Sequence, residues 1–340
     1  MIASAPGKIN LALLVAPPDH SGYHPLSSVF EAISLREWVT VRRLGEGEGH
    51  RVSTWVYRVP QCEGEPRFDA AATAKFARFD GPDHLALKAA RALAPSGVGV
   101  QVDVHKTLPV AGGMAGGSAD AAAALIAVND LLDLRLGEAQ LEEVGRGLGA
   151  DVPACLVGGL SLGVGRGDHM SALSPGSDIP GKTSQWWVAA FATEGLSTPK
   201  VFGEFDRLGA PGGSGAEIPA IAPWRLEALR DPSTVKEALR NDLTGAATSL
   251  RPELSEIGEA CVRAGAKTWL LSGSGPTVLA LVENQLSGCQ VAKHVATHPQ
   301  VASTTVMWGP ALGAQVEDAL PRWCSNYSSL ASSSLSGPLS

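Results

Sequence analysis

The chain predicts an α+β protein of two domains. Three observations carry that prediction. Its 340 residues exceed what a single hydrophobic core usually serves. Strand patterns are separated by helical ones on both sides of a weakly patterned stretch near residues 165–185. The clearest local unit is a strand that passes through a glycine-rich turn straight into a helix. The division expected is an N-terminal domain over residues 1–165, a C-terminal domain over 166–315, and a disordered serine-rich tail over 316–340.

Residues 8–15 (KINLALLV) form an apolar run that reads as a first strand ending at Pro17-Pro18. Residues 21–25 then form a loop, and 29–41 suit one or two strands. From 45 to 80 the pattern degrades and reads as an insert. A helix is expected from 81 to 94, with Asp83 as its N-cap. Val98, Val100, Val102 and Val104 alternate with Gly99, Gln101 and Asp103, the period-two mark of a half-buried strand.

That strand leads into Pro109, Val110, Ala111, Gly112, Gly113, Met114, Ala115, Gly116, Gly117, Ser118 and Ala119. An alanine- and leucine-rich helix follows, with Ser118 where an N-cap hydroxyl would stand and Asp120 in the first turn. A glycine turn at a helix N-terminus presents unblocked N–H groups and a positive dipole end, which suits phosphate oxygens. No Lys-Ser or Lys-Thr follows the last glycine, so a Walker A loop is excluded, and the glycine spacing does not fit GxGxxG.

A second helix is expected over 138–148, ending at Gly149, and short strands over 158–165 and 186–192. Residues 209–219 read as a loop or linker, with helices near 233–240 and 253–264. Residues 268–272 and 277–282 read as strands joined by Gly273-Ser274-Gly275-Pro276.

Composition narrows the function classes. With 44% hydrophobic and 18% charged residues the chain is an ordinary globular one. A net charge of −7 favours neither a nucleic-acid backbone nor an anionic membrane. A phosphate ligand must therefore be held by local N–H groups and a few cations. The five cysteines are scattered without a CxxC pair, which argues for a reducing compartment and against a disulfide framework or structural zinc. The apolar run at 9–16 is too short to span a bilayer and lacks a signal-peptide layout, so a cytoplasmic location is expected.

Three polar residues stand out. Lys8 alone reads as a solvated charge, but Asn10 lies two residues on and shares its strand face. Together they suit an anion or a hydroxyl. Asp151 follows Gly149-Ala150 and precedes Val152-Pro153, which fits a helix N-cap and also a general base set on a loop. The turn at 271–277 reads equally as a tight hairpin or as a second backbone surface closing on a ligand.

Three segments, residues 5–11 (APGKINL), 109–120 and 271–277, resemble in order the three motifs of the GHMP kinase family. The likeness runs from about residue 5 to about residue 313. It implies a two-domain α+β fold, with an N-terminal ATP-binding domain of the ribosomal S5-like kind. The active site then lies in the cleft with the C-terminal α+β domain. The Gly22-Tyr23-His24 loop and residues 148–153 (LGADVP) resemble the branch whose small-molecule substrate carries a cytidine diphosphate moiety. The resemblance implies ATP as co-substrate, with Mg2+, and no nucleic-acid or membrane partner.

Carried over residue by residue, the resemblance makes Lys8 and Asp151 the catalytic pair. The 109–119 loop wraps the ATP phosphates, with Ser118 near the phosphates or the magnesium. Asn10 contacts substrate. Tyr23 and Phe202, the latter following Ser197-Thr198-Pro199, sandwich the cytosine, while His24 reads its edge and Thr198 lies in the same site. Some positions depart from the family pattern. Ala111 and Ala115 replace glycines, which requires both to avoid positive φ. Ala119 replaces a second serine, and Asp83-His84-Leu85 stands where many relatives carry Asp-Asn-Leu. Homoserine- or mevalonate-type kinases of the same family, and a non-catalytic nucleotide-binding module, are the alternatives.

Overall fold

The computed structural model describes residues 1–45, 47–109, 112–209 and 217–324. Val110 and Ala111 of the glycine loop, most of the 209–219 linker and the serine-rich residues 325–340 lie outside the described residues.

The first half is built on a large sheet. Its strands are β1 (Ile2–Val15), β2 (Leu26–Arg43), β3 (Arg51–Arg58), β4 (Arg67–Phe68), β5 (Val100–Lys106), β6 (Leu160–Gly165) and β7 (His169–Ser174). The second half is built on β8 (Gln185–Ala192), β10 (Thr268–Leu271), β11 (Thr277–Val282) and β12 (Val301–Gly309). It also sends β9 (Arg240–Asn241) and β13 (Gln315–Glu317) back to pair with β1. The large sheet runs β13-β1-β2-β5-β3-β4, with β6 and β7 continuing from β2, and the second runs β10-β11-β8-β12.

Both sheets carry helices. Those of the first half are α1 (Ala70–Phe76), α2 (Leu85–Leu93), α3 (Gly116–Leu131), α4 (Glu138–Leu148) and α5 (Val152–Val157). Those of the second are α6 (Thr198–Arg207), α7 (Pro223–Ala228), α8 (Val235–Ala238), α9 (Thr244–Leu250), α10 (Glu253–Arg263) and α11 (Gln285–Val295). The α+β class holds.

Several elements differ from expectation, each for a physical reason. β1 begins at Ile2, ahead of Lys8, because a bulge between Pro6 and Lys8 absorbs the proline that has no N–H to donate. β5 is buried along its whole length because β2 and β3 flank it. Its polar Gln101 and Asp103 satisfy each other at 2.9 Å. The expected insert at 45–80 supplies β3, which lies parallel to β5 inside the sheet. α2 starts at Leu85, capped by His84 Nδ1, which accepts from Ala86 N at 3.2 Å. Asp83, the expected cap, instead reaches Lys88 at 3.0 Å.

The division expected after residue 165 falls inside the β6–β7 hairpin, whose second strand still belongs to the first sheet. The tail expected from 316 begins as ordered chain, with β13 running to Glu317 and a short 3-10 turn over Arg322–Cys324. α3 is apolar nearly all round because it packs against β1, β2, α2 and α5. Alanines at 119, 121–124 and 127 let those neighbours approach closely.

The two halves meet across buried contacts. Trp187 Nε1 of β8 donates to Glu31 Oε2 of β2 at 2.7 Å, and Trp308 N donates to Ser34 Oγ at 3.1 Å. Glu31 is fully buried, its Oε1 has no hydrogen-bond partner among the described residues, and burial pushes its carboxyl up to about 8. The folded chain therefore keeps this proton to higher pH than the unfolded one does. Its stabilising contribution is complete below the ordinary value of 4.5 and is lost as pH rises through about 8. Glu31→Gln is expected to remove that slope. Thermal midpoints of the two proteins should diverge in favour of Glu31→Gln between about pH 5 and about pH 9. Parallel midpoint curves would rule the linkage out.

Candidate active site

Two cavities share the glycine loop as a common wall. The first, about 420 Å3, is lined by Phe76, Phe79 and His84 on one side and by Gly112, Gly113, Ala115, Gly116, Gly117 and Asp120 on the other. The second, about 320 Å3, contains Lys8, Asn10, Tyr23, Ser118, Asp151, Arg166, Thr198 and Phe202. Gly113 and Ala115 face both. A ligand group held on the loop N–H groups in one cavity thus lies beside the polar residues of the other.

The loop owes its place to close backbone approaches. A Cβ on Gly7 would meet the Leu108 side chain at 2.8 Å and Met114 O at 3.0 Å, and Lys8 N donates to Met114 O at 3.2 Å. Gly113 has φ +70°, and a Cβ there would strike Ser272 O at 2.5 Å. Ser272 Oγ donates to Gly113 O at 2.9 Å. The 271–277 turn is therefore both a hairpin joining β10 to β11 and a surface closing on the glycine loop. Asn241 Nδ2 holds it from behind by donating to Leu271 O at 2.9 Å and Gly273 O at 2.7 Å.

α3 starts at Gly116, two residues before the expected N-cap, because Ala115 occupies the left-handed region at φ +60°. Ser118 is thus inside the first turn, lining the second cavity, and Asp120, two residues on, lines the first. The requirement that Ala115 avoid positive φ is not met. A left-handed alanine carries about 1–2 kcal/mol of Cβ strain, partly offset because glycine is more flexible when unfolded. Ala115→Gly is expected to raise stability by about 0.5–1 kcal/mol in denaturant unfolding. A loss of stability would show that the methyl group packs favourably enough to outweigh the strain.

Lys8 is 5% exposed. Its Nζ donates to Asn10 Oδ1 at 3.0 Å, lies 3.4 Å from Asp151 Oδ1, and stands 5.2 Å above the centre of the Phe30 ring. Asn10 Nδ2 donates to Ser28 Oγ at 2.8 Å, which donates onward to Ala12 O at 2.9 Å. Asn10 therefore holds Lys8 from below while lining the cavity. Asp151 stands at the N-cap position of α5, as the capping alternative expects, but its side chain makes no capping bond. It turns to Lys8 with 39% of the side chain exposed, leaving carboxylate surface open to the cavity.

Tyr23 and Phe202 line this cavity too. The Arg166 guanidinium, which the sequence reading passed over, lies 4.5 Å from the Tyr23 ring centre. Thr198 Oγ1 and Ser274 Oγ are 2.8 Å apart. His24 sits behind Phe202 with ring centroids 4.9 Å apart. Its Nδ1 meets Ala16 O at 2.8 Å and its Nε2 lies 3.4 Å from Asp206 Oδ2.

Under the first cavity lies a buried ionic cluster that sequence reasoning also missed. Lys106 Nζ donates to Glu37 Oε1 at 2.9 Å and to Asp120 Oδ2 at 2.7 Å. Glu37 Oε2 accepts from Thr107 N at 2.7 Å, anchoring the chain that enters the loop. Burial pushes the Glu37 carboxyl up while the Lys106 ammonium and Thr107 N–H pull it back, and the two acids hold the Lys106 ammonium above its ordinary value despite burial. Asp120 Oδ1 has no hydrogen-bond partner among the described residues.

Comparison with known proteins gives this geometry a context. Residues 84–159 match the family model of the GHMP kinases N-terminal domain, and residues 226–298 match GHMP kinases C terminal. A protein of Nocardia farcinica named 4-diphosphocytidyl-2-C-methyl-D-erythritol kinase is 38% identical over 318 residues, covering 94% of this chain and 96% of its own. The chain belongs to the GHMP kinase family. A Kineococcus radiotolerans relative of the same name is 43% identical over 299 residues, covering 85% of this chain and 84% of its own. A crystal structure titled 4-(cytidine 5'-diphospho)-2C-methyl-D-erythritol kinase aligns with a TM-score of 0.67 at 26% identity, covering 91% of this chain and 99% of that one. These matches span both halves of this GHMP kinase. Its described residues contain no helix long and apolar enough to cross a membrane.

Proposed function

We propose that this GHMP kinase transfers the γ-phosphoryl group of ATP to the 2-hydroxyl of 4-diphosphocytidyl-2-C-methyl-D-erythritol, a step in non-mevalonate isoprenoid precursor synthesis. The observation that carries the reading is the shared wall. Gly113 and Ala115 face a nucleotide-sized cavity and also the cavity that holds Lys8 and Asp151 3.4 Å apart.

In this reading the adenosine side of ATP occupies the cavity of Phe76, Phe79 and His84. Its phosphates run along the loop to the N-terminus of α3. The acceptor hydroxyl lies against Lys8 and Asp151. Its oxygen attacks the γ-phosphorus, the bond to the bridging oxygen breaks, ADP leaves, and the hydroxyl proton passes to Asp151. A carboxylate is a weak base for an alcohol, and phosphoryl transfer asks little of it because positioning and charge stabilisation dominate. Lys8 supplies that charge at the entering oxygen, and Asn10 and Ser28 fix where it stands. Tyr23 and Phe202 offer ring faces to the cytosine, with His24 packed behind Phe202. Arg166, exposed at the cavity mouth, is placed to meet the diphosphate.

The described residues hold no group of three or more His, Cys, Asp or Glu side chains arranged for a metal. Mg2+ keeps water and nucleotide phosphates as most of its ligands. The oxygen donors beside the loop are the Ser118 hydroxyl and the partnerless Asp120 Oδ1, and bound Mg2+ would neutralise phosphate charge there. The deciding experiment is a substrate panel with ATP, following ADP release with the diphosphocytidyl compound, homoserine and mevalonate. Turnover of the first alone is expected. Turnover of either other compound without the first would overturn the assignment.

A further inference from the structure

The turn between β6 and β7 carries an arginine onto one of the two rings assigned to the cytosine. Gly165 and Gly167 flank Arg166 with φ of +80° and +82°, and Gly167 N donates to Val164 O at 3.2 Å. The turn rests on the Phe30 ring. A Cβ on Gly163 would strike Phe30 Cε2 at 2.6 Å, and one on Gly167 would approach Phe30 Cζ at 3.5 Å. Arg146 Nη1 of α4 donates to Asp168 O at 3.4 Å, and Arg166 N donates to Asp168 Oδ1 at 3.3 Å. Arg166 therefore stands on a turn fixed from two sides. Its guanidinium carbon lies 4.5 Å from the centre of the Tyr23 ring.

The Tyr23 backbone is tied down by its own loop. Tyr23 N donates to Asp19 Oδ1 at 3.1 Å, and Asp19 N donates to Tyr23 O at 2.7 Å. The side chain is placed differently. Tyr23 and Arg166 line the second cavity and also a further hollow of about 390 Å3, shared with Asp19, Pro25, Asp168 and Ile218. A ring with open space on both sides keeps its freedom to turn, and ordering it when a ligand binds costs conformational entropy. A guanidinium against the ring offsets that cost before the ligand arrives.

We propose that Arg166 is a positioning residue that holds the Tyr23 ring in place for the cytosine. The inference rests on the cytidine-bearing substrate proposed above. In this role Arg166 acts through Tyr23, apart from any charge it presents to the diphosphate. The substrates that gain are those with a flat base to lay on the ring.

A double-mutant cycle and a tyrosine signal test the role. Arg166→Ala is expected to raise KM for the diphosphocytidyl compound about five- to tenfold, more than it changes kcat, with KM for ATP unmoved. In a Tyr23→Leu background the same change should alter that KM by less than about twofold. The chain has three tyrosines, so with ring-labelled tyrosine the NMR signal missing from Tyr23→Leu belongs to Tyr23. In substrate-free Arg166→Ala that signal should move toward the position of free tyrosine. An unmoved signal, or an equal KM penalty with and without the Tyr23 ring, would overturn the proposal. Failure of the unaltered chain to turn over the diphosphocytidyl compound would sink the substrate assignment alone, and the tyrosine signal would still decide the role of Arg166.

Discussion

Asp151→Asn is expected to lower kcat by about two orders of magnitude or more, while ATP binds as before. The amide keeps the shape of the carboxylate and its place beside Lys8 but cannot take the hydroxyl proton. It also withdraws the negative charge that faces Lys8 at 3.4 Å, so the lysine is less firmly held toward the acceptor. Asp151 lines the second cavity and the nucleotide is placed in the first, so the loss should fall on turnover and spare nucleotide affinity. Steady-state ADP release gives the first quantity, and calorimetric titration with a non-hydrolysable ATP analogue gives the second. A variant with near-normal kcat would remove Asp151 from proton transfer. One that fails to bind nucleotide would place it in the wrong half of the site.

The second large effect is structural. Lys106→Met leaves Glu37 and Asp120 buried without their shared cation, and stranding one side of a buried ion pair costs about 3–5 kcal/mol. With the cation gone, the Glu37 carboxyl would hold its proton in the folded state to higher pH than in the unfolded chain. The variant is therefore least impaired in acid and loses stability as pH rises past the ordinary carboxylate range. Urea unfolding at several pH values measures both magnitude and sign. A loss below about 1 kcal/mol with no pH slope would mean that water reaches these oxygens. Since Thr107 N and Leu108 N donate to Glu37, the entry to the glycine loop should loosen as well.

The same cluster marks where sequence reading ran out. Lys106 ends a strand, where a lone lysine looks like a solvated charge, and its two acids lie 69 and 14 residues away. Nothing local announces such a set. The Lys8 and Asn10 pairing was legible because two residues apart on a strand means one face, and the structure closes that pair at 3.0 Å. Ser28, which completes the chain of hydrogen bonds, arrives only through the β1–β2 register. The hairpin at 271–277 was legible from its glycines, but its grip on Gly113 comes from tertiary packing. The start of α3 was misplaced because alanine is read as helix former or loop filler, and Ala115 is neither. It is a left-handed hinge between the loop and the helix. The stretch at 45–80 looked like an insert because β3 draws its stability from its neighbours β5 and β4, which a one-dimensional pattern cannot show.

The pairing of Ile2, Ala3 and Ser4 with Glu317, Val316 and Gln315 has a bearing on how the protein is made. A ribosome adds about 5–20 residues per second, so the β13 partner of β1 emerges roughly 15–60 seconds after β1 itself. Over that interval the strand that carries Lys8 has an unsatisfied edge. β2 covers one side early, while β9 and β13 come only from the far end of the message. Completion of the nucleotide-binding half is therefore a late event in synthesis. Chains halted before residue 315 are expected to present an open sheet edge to chaperones and proteases.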